Sequence, residues 1–302
     1  MKKVLLTVCS VGCMLTAFAQ NQKIEIKEAS LYSDTGKWNN TLELGINFNQ
    51  SSFSPNWKGG GTNSYAIGGL LNGTSSYTKK RFAFDGKINA QHGIQNTKGQ
   101  ELRKTIDVLL IDTKIAYLFK NPKWSGYLGA NLITQFTPGY EYDDDTLYIE
   151  RQSNLFAPAY LTIPLGVQYK PNSYFFARFG VASLRYTFVT DPEIRKTVAN
   201  NYGVDTNKKV YRQFGMQIVS GYNRDITSTI NFKANYFGFF DYDRVRVTDF
   251  VHRLDIVFTA KVTKYINTTL SSILFYDLTQ DKDVQLSQVL NVGFLMKLGS
   301  TE

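Results

Sequence analysis

The 302-residue sequence carries a formal net charge of +9, with 43% hydrophobic and 14% aromatic residues. Its two cysteines, Cys9 and Cys13, both precede the bulk of the chain, which excludes disulfide staples, thiolate metal sites and cysteine nucleophiles beyond them. The cations are scattered over alternating faces without an RNA-binding motif, so nucleic acid is not an expected partner.

The first element has the three parts of a secretory signal. Lys2 and Lys3 supply the positive start, Val4 to Thr16 the short apolar core and Ala17-Phe18-Ala19 the small-residue cleavage pattern. A lipid anchor at Cys9 or Cys13 is the rival reading, but Val8 is bulky for the position before an acylated cysteine. Cleavage before Gln20 removes both cysteines and both lysines, lowering the formal charge from +9 to +7. No later apolar run approaches the ~18 residues of a transmembrane helix. The expected organisation is a signal peptide over 1–19, a periplasmic segment over 20–40 and one domain over 41–302.

From residue 41 onward the chain alternates with period two, the pattern of strands with two unlike faces. In Thr41 to Gln50 the apolar face is Leu42, Leu44, Ile46 and Phe48, against Glu43, Gly45, Asn47 and Asn49. In Arg253 to Thr263 it is Leu254, Ile256, Phe258, Ala260 and Val262, against Arg253, Asp255, Thr259 and Lys261. Twelve such segments fall at about 41–50, 63–78, 81–94, 107–120, 123–137, 155–170, 173–187, 209–223, 226–240, 247–263, 265–278 and 284–298. Most exceed the ~5–6 residues of a typical soluble strand and suit the ~9–11 residues of a tilted strand in a bilayer.

The connections alternate in length. Short turns are predicted at Lys79-Lys80, Asn121-Pro122, Pro171-Asn172, Asn223-Arg224 and Lys264, and longer loops between them. Outer-membrane barrels have this asymmetry. Tyr77 and Phe82, Phe119 and Trp124, Tyr169 and Phe175, and Tyr222 flank the short turns on the apolar parity, a candidate aromatic girdle at the lipid headgroups. A soluble β-sandwich would bury its apolar faces and offers no reason for aromatics to collect at one end. The predicted fold is therefore all-β: a transmembrane antiparallel up-and-down β-barrel of twelve strands, with short periplasmic turns and longer outer loops. Its expected place is the cell outer membrane and its expected partners are membrane lipid and surface or periplasmic proteins. Lys79, Lys80, Arg81, Lys120, Lys123, Lys170 and Arg224 collect near the short turns, where they could meet acidic lipid heads.

Several stretches match an existing pattern in order: NWKGGGTNSYAIGGLLN at Asn56–Asn72, TQFTPGYEY at Thr134–Tyr142 and SNLFAPAYLTIPLGVQYKPN at Ser153–Asn172. NYGVD at Asn201–Asp205 and LFYD at Leu274–Asp277 continue it. In these the sequence resembles an outer-membrane barrel family of the Bacteroidota known only as a domain of unknown function. The resemblance implies a membrane-embedded barrel in a diderm cell and brings no catalytic residues and no substrate with it.

The glycines of WKGGGTNSYAIGGLLNGTSSY, from Trp57 to Tyr77, lack the GxxxxGK[ST] spacing of a phosphate loop and open no helix. They are read as a bend at Gly59-Gly60-Gly61 and as strand positions at Gly68, Gly69 and Gly73 where something packs closely. Asp143-Asp144-Asp145, with Glu141 and Glu150, is an acidic loop without Ca²⁺-loop spacing. Only His92 and His252 could serve as catalytic bases; His92 shares the lipid-facing parity, and His252 lies near Asp249 and Asp255. No cofactor, no metal and no enzymatic activity are expected. The opposite parity holds Asp85, Lys87, Asp112, Lys114, Arg178, Lys233, Arg253 and Asp255, a mixed-charge set of candidate lumen-lining residues. Such charges can line a narrow channel for small solutes, or pair and knit shut a scaffold barrel that docks partner proteins. The first reading is favoured; a hydrolase centred on His252 is the weakest of the three.

Overall fold

Strand alternation with an apolar outer parity closes the chain on itself. The computed structural model describes residues 36–52, 54, 62–142, 148–197, 202–244, 246, 249–263, 266–278 and 282–299. The predicted signal, Trp57, Gly59-Gly60-Gly61, Asp143-Asp144-Asp145 and Lys264 lie outside the described residues.

The first half of the barrel comprises β1 (Trp38–Ser51), β2 (Ser64–Lys79), β3 (Phe82–Thr97), β4 (Arg103–Leu118) and β5 (Trp124–Thr134). A hairpin of β6 (Gly139–Tyr142) and β7 (Tyr148–Ser153) then leaves the wall as a separate two-stranded sheet. The wall resumes with β8 (Ala159–Tyr169) and β9 (Phe175–Phe188), followed by the short helix α1 (Pro192–Thr197). It continues through β10 (Val210–Asp225), β11 (Ile230–Asp241), β12 (Val251–Lys261), β13 (Ile266–Tyr276) and β14 (Gln285–Gly299). Every neighbour is antiparallel, and β1 pairs with β14 from Thr41↔Gly299 to Ile46↔Phe294, closing a barrel of twelve strands.

The alternation sets two faces. Large apolar side chains point away from the barrel and are left uncovered: Leu128 is 50% exposed, Leu165 54%, Val181 58% and Leu290 69%. Polar and charged side chains of the other parity are the buried ones, among them Asn89, Lys114, Gln168 and Arg185. An apolar belt around the whole wall, far larger than a soluble surface tolerates, identifies a barrel that spans a membrane with lipid as its outer solvent. No helix among the described residues is long and apolar enough to cross a membrane; the strands do so.

The short connections bunch at one end. β2 turns into β3 through Lys80-Arg81, β4 into β5 through 119–123, and β8 into β9 through 170–174. The fourth turn lies later than the sequence pattern places it, at 226–229. Asn223 and Arg224 still belong to β10, paired with Lys233 and Phe232, because Asn231 bonds Asn223 and Asp225 and prolongs the ladder. Lys170, expected among the headgroup-facing cations, is buried on the inner face.

At the opposite end the long connections fold over the wall. Lys104, on β4, donates to Gln135 Oε1 (2.7 Å), the Thr137 carbonyl (2.9 Å), Asp107 (3.0 Å) and Ser153 Oγ (3.1 Å). This ammonium clamps the β6–β7 hairpin to the barrel. All four contacts are donated from Nζ, so Lys104 serves here as a clamp.

Leu165 lies on the lipid face midway along β8, away from both ends. Leu165→Arg should cost about 2–4 kcal/mol in urea unfolding from liposomes, as a charge near the bilayer midplane does. Leu165→Ala, which stays apolar, should cost well under half of that.

Candidate functional site

Strand register decides which side chains meet inside the barrel, and the interior is organised as two unlike walls. On β8 to β12 the inward side chains are packed and buried, including Gln168, Arg178, Arg185, Gln217, Lys233, Asn235, Arg253 and Asp255. On β1, β2 and β13 most inward positions are small and uncharged and remain partly exposed: Thr41, Gly45 and Asn47, then Ala66, Gly68 and Thr74, then Asn267, Thr269 and Ser271; Glu43 is charged, and Asn72 and Ile273 are buried. The Asn47 side chain from β1 lies directly over Gly68 and would have to move to admit a Cβ there.

The charged candidates sit mostly on the packed wall and its margin. Lys114 bridges Asp85 at 3.2 Å and donates to Gln168 Oε1 at 2.7 Å. Arg178 donates from Nε to the same oxygen at 3.1 Å and stands 3.8 Å from Asp112, which also receives Asn131 at 3.4 Å. The network therefore runs across β3, β4, β5, β8 and β9. Phe176 and Tyr127 cover the Arg178 guanidinium with ring centroids at 5.1 and 5.8 Å. Arg253 chelates Asp255 on the same strand, at 2.8 Å from NH2. Lys87 and Lys233 are buried on the same inner face. Buried ions are tolerated when they have partners of opposite sign, and Lys114, Arg178 and Arg253 each have one.

One ion pair was not legible. Arg185 on β9 reaches Asp277, just past β13, at 3.6 Å. Four strand steps of about 4.8 Å each separate them round the wall, so the pair crosses the interior rather than following it. The Arg185 guanidinium lies between Tyr160 and Phe239, at 5.4 and 5.2 Å from the ring centroids. Strict alternation from Arg178 would aim Arg185 at lipid. β9 carries an extra residue opposite β8 and β10, where the pairing jumps from Gly180 to Ala182 or Ser183, and this inverts the parity. Gly166 permits the bulge, since any Cβ there would strike the Phe179 carbonyl. Arg185, Asp277, Tyr160 and Tyr211 line a cavity of about 20 Å³ under the mouth, room for about one water.

The mouth above it is covered by Ala157, Val189, Ile194 and Val204 with Tyr202 and Tyr211 packed on them. Burial, and the nearby Glu150 carboxylate, push the Tyr202 phenol up to about 12, so it stays a donor to the Gln152 carbonyl at 2.6 Å. Asp191 holds α1 in place: it accepts the Glu193 amide at 2.8 Å, Asn154 at 2.8 Å and Arg151 at 3.1 Å.

Outside, the aromatic candidates engage one another. Tyr77 meets Trp38 at 5.0 Å, Phe82 meets Tyr117 at 5.3 Å, and Trp124 meets Tyr169 at 4.6 Å. Tyr222 meets Tyr174 at 5.7 Å and pairs across strands with Phe175, while Phe119 stands exposed beside the second turn. A second belt, missed in the sequence, lies at the long-loop end: Phe214–Tyr242, Phe240–Phe250 and Phe156–Phe188. Several of its members sit in loops, where strand parity gives no orientation. Phe232 and Phe240 on β11 place the two belts eight residues apart, about 26 Å along a strand, which a tilt of about 40° reduces to roughly 20 Å, somewhat under the ~25 Å apolar band of outer-membrane barrels.

The histidines belong to this outer surface. His92 lies 5.5 Å from the Phe136 ring. His252 Nδ1 bonds the Tyr236 hydroxyl at 2.8 Å, and its ring stacks on Phe250. Asp255, near His252 in sequence, points the other way into the lumen with Arg253, so the two form no acid–base pair. Among the described residues no group of three or more metal-ligating side chains converges.

Residues 48–140 match a family described as a protein of unknown function, DUF3078. No curated protein matches the sequence. An outer membrane channel from Pseudomonas putida F1 is 9% identical, with 91% of this chain and all of that chain covered, at a TM-score of 0.41. The translocator domain of the autotransporter NalP from Neisseria meningitidis is 11% identical, with 87% and 89% covered, at a TM-score of 0.32. The Pseudomonas putida toluene transporter TodX is 7% identical, with 88% and 89% covered, at 0.33.

Burial raises the Asp191 carboxyl, and the bonds from Asn154, the Glu193 amide and Arg151 more than offset this, leaving it below the usual carboxylate value. A folded value below the unfolded one means its contribution is complete above the unfolded pKa and is lost as pH falls through the folded one. The α1 segment should therefore resist limited proteolysis at neutral and mildly acidic pH and open only below about pH 4. Asp191→Asn should be cut at neutral pH at the rate the natural protein reaches only in acid.

Proposed function

We propose that the protein is a narrow channel of the outer membrane for small solutes, with its short turns in the periplasm and its long loops outside. The two-walled interior carries this reading. A barrel built only as a plug or scaffold would fill its lumen from all sides, yet most inner positions of β1, β2 and β13 stay partly exposed beside a packed opposite wall. The kinship with Bacteroidota outer-membrane barrels, and the headgroup position of the two aromatic belts, belong to the same reading.

A specific observation favours a second one. The apolar cluster over the mouth and the Arg185–Asp277 crossing both obstruct the β8–β12 side, as a closed barrel that docks partner proteins through its loops would require.

Reconstituted protein separates the two. A channel gives conductance steps in planar bilayers, and Gly45→Trp, which puts a large ring into the accessible wall, should reduce them several-fold. Heat-dependent gel migration, which reports barrel folding, should be unchanged by the substitution. Folded natural protein that passes no ions and no solutes removes the channel reading and leaves the scaffold.

A further inference from the structure

We infer that the solutes taken by this lumen are uncharged and rich in hydroxyls, of the polyol and monosaccharide class; the inference rests on the channel reading. Three observations lead to it.

The charges of the interior are largely spent on one another. Asp85 is bound to Lys114, Asp112 to Arg178, Asp255 to Arg253 and Asp277 to Arg185. Neighbouring charges of opposite sign cancel each other's field a short distance away. An ion entering the lumen leaves its hydration shell and meets acids already held by bases, with Lys87 and Lys233 buried in the wall.

The accessible wall is chemically different. Thr74 on β2, Thr269 and Ser271 on β13, and Asn47 on β1 present hydroxyl and amide groups inward and partly exposed. Such groups donate and accept, and can exchange one by one for the hydration bonds of a polyol. Among the described side chains of β1, β2 and β13 on this face, Glu43 is the charged one.

The wall also departs from an apolar conduit. A hydrocarbon gains from a continuous greasy track, since transfer from water scales with buried apolar area. Here Leu70 is flanked on its own strand by Gly68 and Asn72, and Ser271 is flanked by Thr269 and Ile273. Apolar patches of this size suit the C–H face of a sugar ring whose rim is hydroxylated.

Liposome swelling with the full-length protein tests the inference, using a neutral monosaccharide, gluconate and a glucosamine cation as probes of similar size. The neutral sugar should enter roughly tenfold faster than either ion. Thr269→Val with Ser271→Ala should slow the sugar roughly fivefold, as the loss of one or two net hydrogen bonds does, and leave ion entry unchanged. Equal or faster entry of gluconate or the cation overturns the inference and leaves the channel standing. Sugar entry that the double variant does not slow also overturns it. If no probe enters through protein whose folding is verified by gel migration, the inference and the channel reading fall together.

Discussion

The structure depends on one constraint: inside a bilayer no water is available to bond a free backbone N–H or C=O. A sheet meets it only by having no edge. The pairing of β1 with β14 removes the edge, and closure then sorts every side chain. One parity faces lipid and is apolar; the other faces the lumen and has to dispose of its polar and charged groups without lipid contact.

The interior resolves that demand in two ways. Between β3 and β12 it sets acids against bases, adding Gln168 as a shared acceptor and aromatic rings over the Arg178 and Arg185 guanidinium groups. Along β1, β2 and β13 most inward residues are small and uncharged and stay partly exposed. The asymmetry matters more than the presence of charge. A uniformly charged lumen would repel one sign of ion, and a uniformly packed one would pass nothing.

The bulge in β9 shows how a single extra residue redistributes function. Without it Arg185 would face lipid, at the cost of several kcal/mol expected for a charge in that setting. With it the guanidinium turns inward, crosses to Asp277 and fills part of the interior beneath the mouth. The long loops complete that closure through an apolar cluster held by Asp191 and Arg151, outside the region where lipid dictates composition.

The amino-acid sequence by itself determined the class of fold, the twelve strands and their approximate bounds, and which parity is apolar. It could do so because lipid on one side and water on the other impose a local, period-two pattern on every strand. It also sorted the short-turn aromatics onto the apolar parity and Asp85, Lys114, Arg178, Arg253 and Asp255 onto the other. What tertiary structure alone decided depends on positions distant in sequence. Asn47 lies over Gly68, Asp277 accounts for Arg185, the β6–β7 hairpin is fixed by Lys104, and the second aromatic belt is assembled partly from loops. Register and bulges arise between strands, and the division into a packed and a watered wall is a property of the closed barrel that no single strand carries.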